Sequence, residues 1–105
     1  MSTHKYAPKI LVFAGTTRTE ALNKKLARVA ATAAEKAGAA VTFMDLRDLA
    51  MPLYDGDLEA GSGLPAGAQK FKALLLRHDG LLISTGEYNS SITGVLKNAI
   101  DWASR

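Results

Sequence analysis

The stretch Leu81-Leu82-Ile83-Ser84-Thr85-Gly86-Glu87-Tyr88-Asn89-Ser90-Ser91-Ile92-Thr93-Gly94-Val95-Leu96-Lys97-Asn98-Ala99-Ile100-Asp101-Trp102-Ala103-Ser104-Arg105 decides the fold. Its opening apolar run, Leu81-Leu82-Ile83, reads as a short strand buried on both faces. Val95, Leu96, Ala99, Ile100, Trp102 and Ala103 then recur as one broad apolar stripe, which predicts a helix. A polar, glycine-containing loop therefore sits at the carboxyl end of a buried strand. In an open α/β sheet that is where ligands bind.

The rest of the chain supplies the remainder of such a sheet. Lys9-Ile10-Leu11-Val12-Phe13-Ala14 is a continuous apolar run after Pro8, too short for a helix, and it ends at Gly15. Both faces of that strand are expected to be buried. From Glu20 to Lys36, apolar Leu22, Leu26, Val29, Ala30, Ala33 and Ala37 recur at three- and four-residue spacing, an amphipathic helix stopped by Gly38. Ala40-Val41-Thr42-Phe43-Met44 suits a second parallel strand. Met51 to Pro65 is dense in turn formers and reads as a long surface loop, a kind of loop that is usually functional or mobile rather than idle. Helical spacing resumes from Ala66 to Arg77 through Ala68, Phe71, Leu74 and Leu75, with His78-Asp79-Gly80 as the exit turn. The pattern is βαβαβα, half of a doubly wound sheet, in one domain with no internal repeat.

Composition narrows the function classes. The 105 residues are 48% apolar and 22% charged, those of an ordinary globular domain. A formal charge of +3 comes from 13 basic and 10 acidic residues scattered along the chain, with no basic stripe for nucleic acid or an anionic membrane. No apolar run spans a bilayer and the start lacks a signal-peptide core, so the cytoplasm is the expected compartment. Without cysteine there is no disulfide, thiolate nucleophile or thiol metal site, and any redox chemistry must come from a bound cofactor.

The first candidate site lies between the first strand and the first helix. Gly15 permits a tight turn, the helix N-terminus offers N–H groups and a positive dipole end, and Thr16 and Thr17 add hydroxyls. Arg18 adds a fork-shaped cation suited to phosphate oxygens. The alternative is that Thr17-Arg18-Thr19-Glu20 is a capping box with a solvated Arg18. Neither a dinucleotide fingerprint nor a P-loop is present, so an anion cradle here suits a mononucleotide phosphate. Asp55, Asp57 and Glu59 lack supporting ligands and read as a solvated loop, and His4 and His78 are too isolated for zinc.

Gly86-Glu87-Tyr88-Asn89-Ser90-Ser91 with Gly94-Val95-Leu96-Lys97-Asn98-Ala99-Ile100-Asp101-Trp102-Ala103-Ser104-Arg105 resembles the second flavin-binding loop and following helix of the NAD(P)H-dependent FMN reductases, the flavodoxin-like family of quinone, chromate and azo-dye reductases. The family has Pro where this chain has Gly86, which loosens the loop. Its first loop, Gly-Ser-x-Arg-x-x-Ser-x-Asn, is similar to Gly15, Thr16, Arg18 and Asn23, with Ala21 where the family often has Ser. Losing that hydroxyl weakens phosphate binding by roughly 0.5–1.5 kcal/mol.

The resemblance implies FMN as cofactor and NAD(P)H as co-substrate. Gly15, Thr16, Thr17, Arg18 and Asn23 would hold the phosphate, and Gly86, Glu87, Tyr88, Asn89 and Ser90 would line the ring. Electrons would pass to a quinone, metal oxyanion, azo compound or free flavin, and no protein acid or base would be needed. The resemblance also implies homo-oligomers, dimers or tetramers, with Lys97, Asn98 and Asp101 either at an interface or on a solvated face. It runs from Lys9 to Arg105 but accounts for three of five family strands, so the expectation is a truncated flavodoxin-like domain with the last two strands missing. A sheet ordered 2-1-3 would leave the third strand as an edge that self-association hides. An FMN-binding electron carrier, a flavin-free interaction module and an inactive fragment are the alternatives.

Overall fold

A computed structural model describes residues 6–18, 21–86 and 92–105. The elements run β1 (Lys9–Ala14), α1 (Leu22–Lys36), β2 (Ala40–Phe43), a 3-10 turn (Leu46–Asp48), α2 (Gly56–Ser62), α3 (Ala66–Arg77), β3 (Gly80–Ser84) and α4 (Gly94–Ala103). Both strand pairs are parallel and the order is β2-β1-β3, with Leu11 opposite Thr42 on one side and Leu81 on the other. The expected α/β half-sheet is present.

Alternation along β1 builds the two layers. Leu11 and Phe13 point to one face, where they pack with Met44, Leu46, Leu49, Phe71, Leu96 and Ala99. Val12 and Ala14 point to the other, against Ala27 and Ala31 of α1. The helices α3 and α4 therefore cover one face and α1 the other. With β1 buried on both sides, its continuous apolar run is explained.

Two burial expectations are corrected. In α1 the buried residues are Lys24, Ala27 and Ala31, whereas Leu22, Leu26 and Val29 are 80%, 56% and 66% exposed. Small side chains let the helix lie close to the sheet, and Leu26 borders a groove beside Leu82 and Ile83 of β3. The second correction concerns β3, whose Leu81, Leu82 and Ile83 are 50%, 39% and 37% exposed rather than buried on both faces. β3 is an outer strand of the sheet, with a neighbour on one side only among the described residues.

The long turn-rich stretch is not all irregular. Gly56–Ser62 forms α2, despite two glycines, because the Asp55 side chain accepts from the N–H groups of Asp57 and Leu58, and Asp57 and Glu59 complement the helix dipole. The stretch is also pinned to α4. Pro52 O accepts from Trp102 Nε1 at 2.7 Å and Asn98 Nδ2 at 2.9 Å, and Asn98 Oδ1 accepts from Tyr54 N at 2.7 Å. Tyr54 stands edge-on to Trp102 at 4.8 Å and donates to Glu59, which pairs with Arg105. Lys97 and Asp101 form the i,i+4 pair read from their spacing, while Arg105 turns to Glu59 instead.

These carboxylates make stability depend on acid. The Tyr54 hydroxyl and then Arg105 hold Glu59 below its ordinary 4.5, and the Lys9 N–H and the Tyr6 hydroxyl hold Asp79 below 3.8. The folded state binds fewer protons than the unfolded chain, so their contribution is fully present above about pH 5 and is lost as pH falls through the depressed folded values. Urea midpoints are expected to be level from neutral pH down to about pH 5 and to fall below about pH 4. A midpoint that rises on acidification would contradict these contacts.

Candidate functional site

Helix α1 follows β1 on one face and α3 precedes β3 on the other, so the chain changes sides between β1 and β3. That is the topological switch point, and a crevice at the carboxyl ends of these strands is the default ligand position. The turn after β1 and the loop after β3 meet there. Gly15 N donates to Ser84 O at 2.8 Å, and the Ser84 hydroxyl donates to Asn23 Oδ1 at 2.7 Å. Thr93 Oγ1 donates to Gly15 O at 2.7 Å while accepting from Leu96 N as the cap of α4.

Glycine is required at position 15 by packing. A Cβ there would lie 2.6 Å from Thr85 Oγ1 and 3.1 Å from a Leu96 methyl. Gly86 is different, since a Cβ would meet Asn23 and Thr93 at ordinary distances of 3.7 and 3.8 Å. Gly15, Asn23 and Gly86 thus gather at one mouth, and Gly15 is followed in the chain by Thr16 and the exposed Thr17 and Arg18. Glu87, Tyr88, Asn89 and Ser90 lie outside the described residues.

Thr19 and Glu20 of the capping-box alternative lie outside the described residues. The helix begins at Leu22 behind Ala21, which has no capping side chain, and its first turn carries no acidic residue. Thr17 lies four residues before that cap position. The N-terminus is left with a positive dipole end and N–H groups of Leu22 and Asn23 that its own carbonyls do not satisfy. Thr16 Oγ1 accepts from Arg18 N at 3.2 Å, tightening the turn.

Several contributors were not singled out from sequence. Thr93, just before the helical Gly94, carries a cap signal that was available in principle. Lys24 is buried and pairs with Asp45 Oδ2 at 3.0 Å, and Arg47 Nη1 donates to Thr17 O at 3.2 Å. Burial alone would raise the Asp45 carboxyl, but the Arg47 N–H and the Lys24 and Arg47 charges outweigh it and hold it below 3.8. The Lys24–Asp45 and Arg47–Thr17 contacts join residues 21 and 30 positions apart, so no local pattern announces them. Among the described residues no group of three or more metal-ligating side chains assembles, and no helix is long and apolar enough to cross a membrane. Asp55 and Glu59, read as parts of a solvated loop, instead cap α2 and anchor it.

Residues 8–105 match the family model described as NADPH-dependent FMN reductase. The chain belongs to that family. This FMN reductase family member is 46% identical over 99 residues to a 2-hydroxy-1,4-benzoquinone reductase of Burkholderia sp., covering 94% of this chain and 51% of the relative. It is 37% identical over 98 residues to a quinone reductase of Escherichia coli (strain K12), covering 92% and 50%. Among solved structures it is similar to FerB, a flavoenzyme NAD(P)H:(acceptor) oxidoreductase from Paracoccus denitrificans, at a TM-score of 0.76 and 35% identity, over 94% of this chain and 52% of that one. The chain spans about half the length of these relatives. The α/β, flavodoxin-like reading and the family resemblance are borne out.

Proposed function

We propose that the chain supplies the FMN phosphate turn and ring loop of an NAD(P)H-dependent flavin oxidoreductase, with residues 1–105 acting as a single FMN-binding domain. The observation that carries this reading is the joining of the two loops at the switch point through the Gly15–Ser84, Asn23–Ser84 and Thr93–Gly15 bonds. The donor set also fits a phosphate. Hydroxyls of Thr16 and Thr17, the exposed Arg18 and an α1 first turn without a carboxylate are the groups a phosphate would use.

Thr16, Thr17 and Arg18 would bind the FMN phosphate, and Asn23, held by Ser84, would orient the adjoining loop. Gly86 with Glu87, Tyr88, Asn89 and Ser90 would line the ring, a role that rests on the resemblance alone. Bound FMN would supply the hydride and electron chemistry between NAD(P)H and a small-molecule acceptor. A quinone is the favoured acceptor class because relatives at 46% and 37% identity are quinone reductases. No side chain of this chain need donate or remove a proton. Its part is binding and orientation. Use of NAD(P)H also supports a cytoplasmic location, which cell fractionation would test and a non-cytosolic protein would contradict.

The testing experiment is an FMN titration of the purified chain followed by flavin fluorescence quenching. Micromolar or tighter binding is expected, weakened about tenfold or more in Arg18→Ala, as for loss of a charge-assisted hydrogen bond. NAD(P)H consumption with added FMN and a quinone then separates enzyme from carrier. Undetectable FMN binding would sink the reading for this chain.

The same reading includes self-association. The outer edge of β3 is flanked by apolar grooves of about 280 Å³ beside Leu81 and Ile100 and about 200 Å³ beside Leu26 and Leu82. A second copy pairing along β3 would cover both the free backbone groups and these side chains. Sedimentation is expected to show dimers or larger species that Leu82→Lys shifts toward monomer. A monodisperse wild-type monomer would rule this out.

A further inference from the structure

The Thr17 carbonyl, in the middle of the phosphate turn, is held from outside that turn. Arg47 Nη1, from the 3-10 turn after β2, donates to it at 3.2 Å, and Lys24 Nζ, from the buried face of α1, makes a longer contact at 3.5 Å. Asp45 ties these two cations together. Its Oδ2 receives Lys24 Nζ at 3.0 Å and its Oδ1 accepts the backbone N–H of Arg47 at 3.0 Å, capping the 3-10 turn that carries the arginine. The Lys24 side chain is only 9% exposed, so the pair is mostly shielded from solvent.

The consequence follows from peptide geometry. In a planar trans peptide the carbonyl and the next residue's N–H point in opposite directions. Drawing the Thr17 carbonyl toward Lys24 and Arg47 turns the Arg18 N–H the other way, onto the side where it meets Thr16 Oγ1. Were that peptide to flip, the Thr17 carbonyl would lose both cations and the Arg18 N–H its bond to Thr16.

We propose that Arg47 and Lys24, braced by Asp45, are positioning residues that hold the Thr17 carbonyl, and with it the turn carrying Thr16, Thr17 and Arg18, in the conformation that binds the FMN phosphate. This rests on the reading of the turn as a phosphate cradle. Both cations reach the turn at its Thr17 carbonyl. They act through the turn, from an element that the local pattern of the turn does not include.

The test compares FMN with riboflavin, which lacks the phosphate, using fluorescence quenching of the full chain at low and high salt. Arg47→Met removes the shorter bond from an exposed side chain and leaves the Lys24–Asp45 pair intact. Lys24→Met is the second variant, read only if its urea midpoint shows a folded protein. Arg47→Met is expected to weaken FMN about three- to tenfold while riboflavin affinity changes less than about twofold, the size of one lost hydrogen bond. The loss is expected to persist at high salt, where a mere change of charge is screened. If wild type prefers FMN over riboflavin and Arg47→Met keeps the same preference, the positioning role is wrong and the phosphate reading stands. A loss that vanishes at high salt also overturns it, in favour of a long-range charge. If wild type does not prefer FMN over riboflavin, the phosphate reading fails and this inference with it.

Discussion

Trp102→Ala is expected to cost about 3–5 kcal/mol of folding stability, the range for deleting a fully buried large aromatic. Trp102 is fully buried, and it touches two things at once. Its ring supports Tyr54 edge-on at 4.8 Å, and its Nε1 donates to Pro52 O at 2.7 Å. The substitution therefore opens a cavity under α4 and releases the stretch that leads into α2. The Pro52 carbonyl is not left bare, because Asn98 Nδ2 still donates to it at 2.9 Å. Most of the loss is then packing, and Trp102→Phe is expected to restore all but about 1–2 kcal/mol of it. Urea unfolding followed by circular dichroism reads both. A loss below about 1.5 kcal/mol for Trp102→Ala would mean that the indole does not carry the loop. Since domains of ordinary stability hold only about 5–15 kcal/mol, the alanine variant loses a large share of that reserve and is expected to be partly unfolded at room temperature only where wild-type stability lies at the low end.

Gly15→Val is the second large effect, and it acts on fold and site together. Even the first added carbon would stand 2.6 Å from Thr85 Oγ1 and 3.0 Å from Thr85 Cβ, and the branched methyls have Leu96 within reach. Overpacking of this kind costs about 1–3 kcal/mol or more, and relief requires β1 and β3 to part at their carboxyl ends. The bonds at stake are Gly15 N to Ser84 O and Thr93 Oγ1 to Gly15 O, the ones that join the turn after β1 to the segment after β3. FMN affinity is expected to fall by more than the about tenfold of Arg18→Ala, because several donors are displaced instead of one. Adding Thr85→Ala to Gly15→Ala, which removes the closest contact, is expected to recover part of the stability. Gly15→Val with full stability and full FMN affinity would show that the two loops are not coupled through this glycine.

The difference between what was legible and what was not follows the range of each interaction. The β1 boundaries, the Ala66–Arg77 helix and the Gly38 stop after α1 were readable because each depends on neighbours within a turn or a strand. Gly38 takes φ of 103°, a conformation that disfavours other residues, and it stops the helix where expected. The candidate turn at Gly15, Thr16 and Arg18 was legible for the same reason. The apolar periodicity of α1 misled about which face is buried, since Leu22, Leu26 and Val29 outweigh Ala27 and Ala31 in hydrophobicity but not in fit against the sheet. Helix α2 was missed because Gly56 and Gly61 are poor helix formers. Its stability comes from the Asp55 cap and the Glu59–Arg105 pair, the latter spanning 46 residues.

The sequence by itself determined the element order, the three parallel strands and the identity of the two loops at their carboxyl ends, because hydrophobic period and turn chemistry are local properties. Only the tertiary structure decided that those loops meet. The same holds for the close approach that makes Gly15 obligatory, the Asp45, Lys24 and Arg47 grip on Thr17, and the hold of Trp102 and Asn98 on Pro52. Such contacts join residues distant along the chain, and their partners are chosen by the close packing of three layers, which no single stretch encodes.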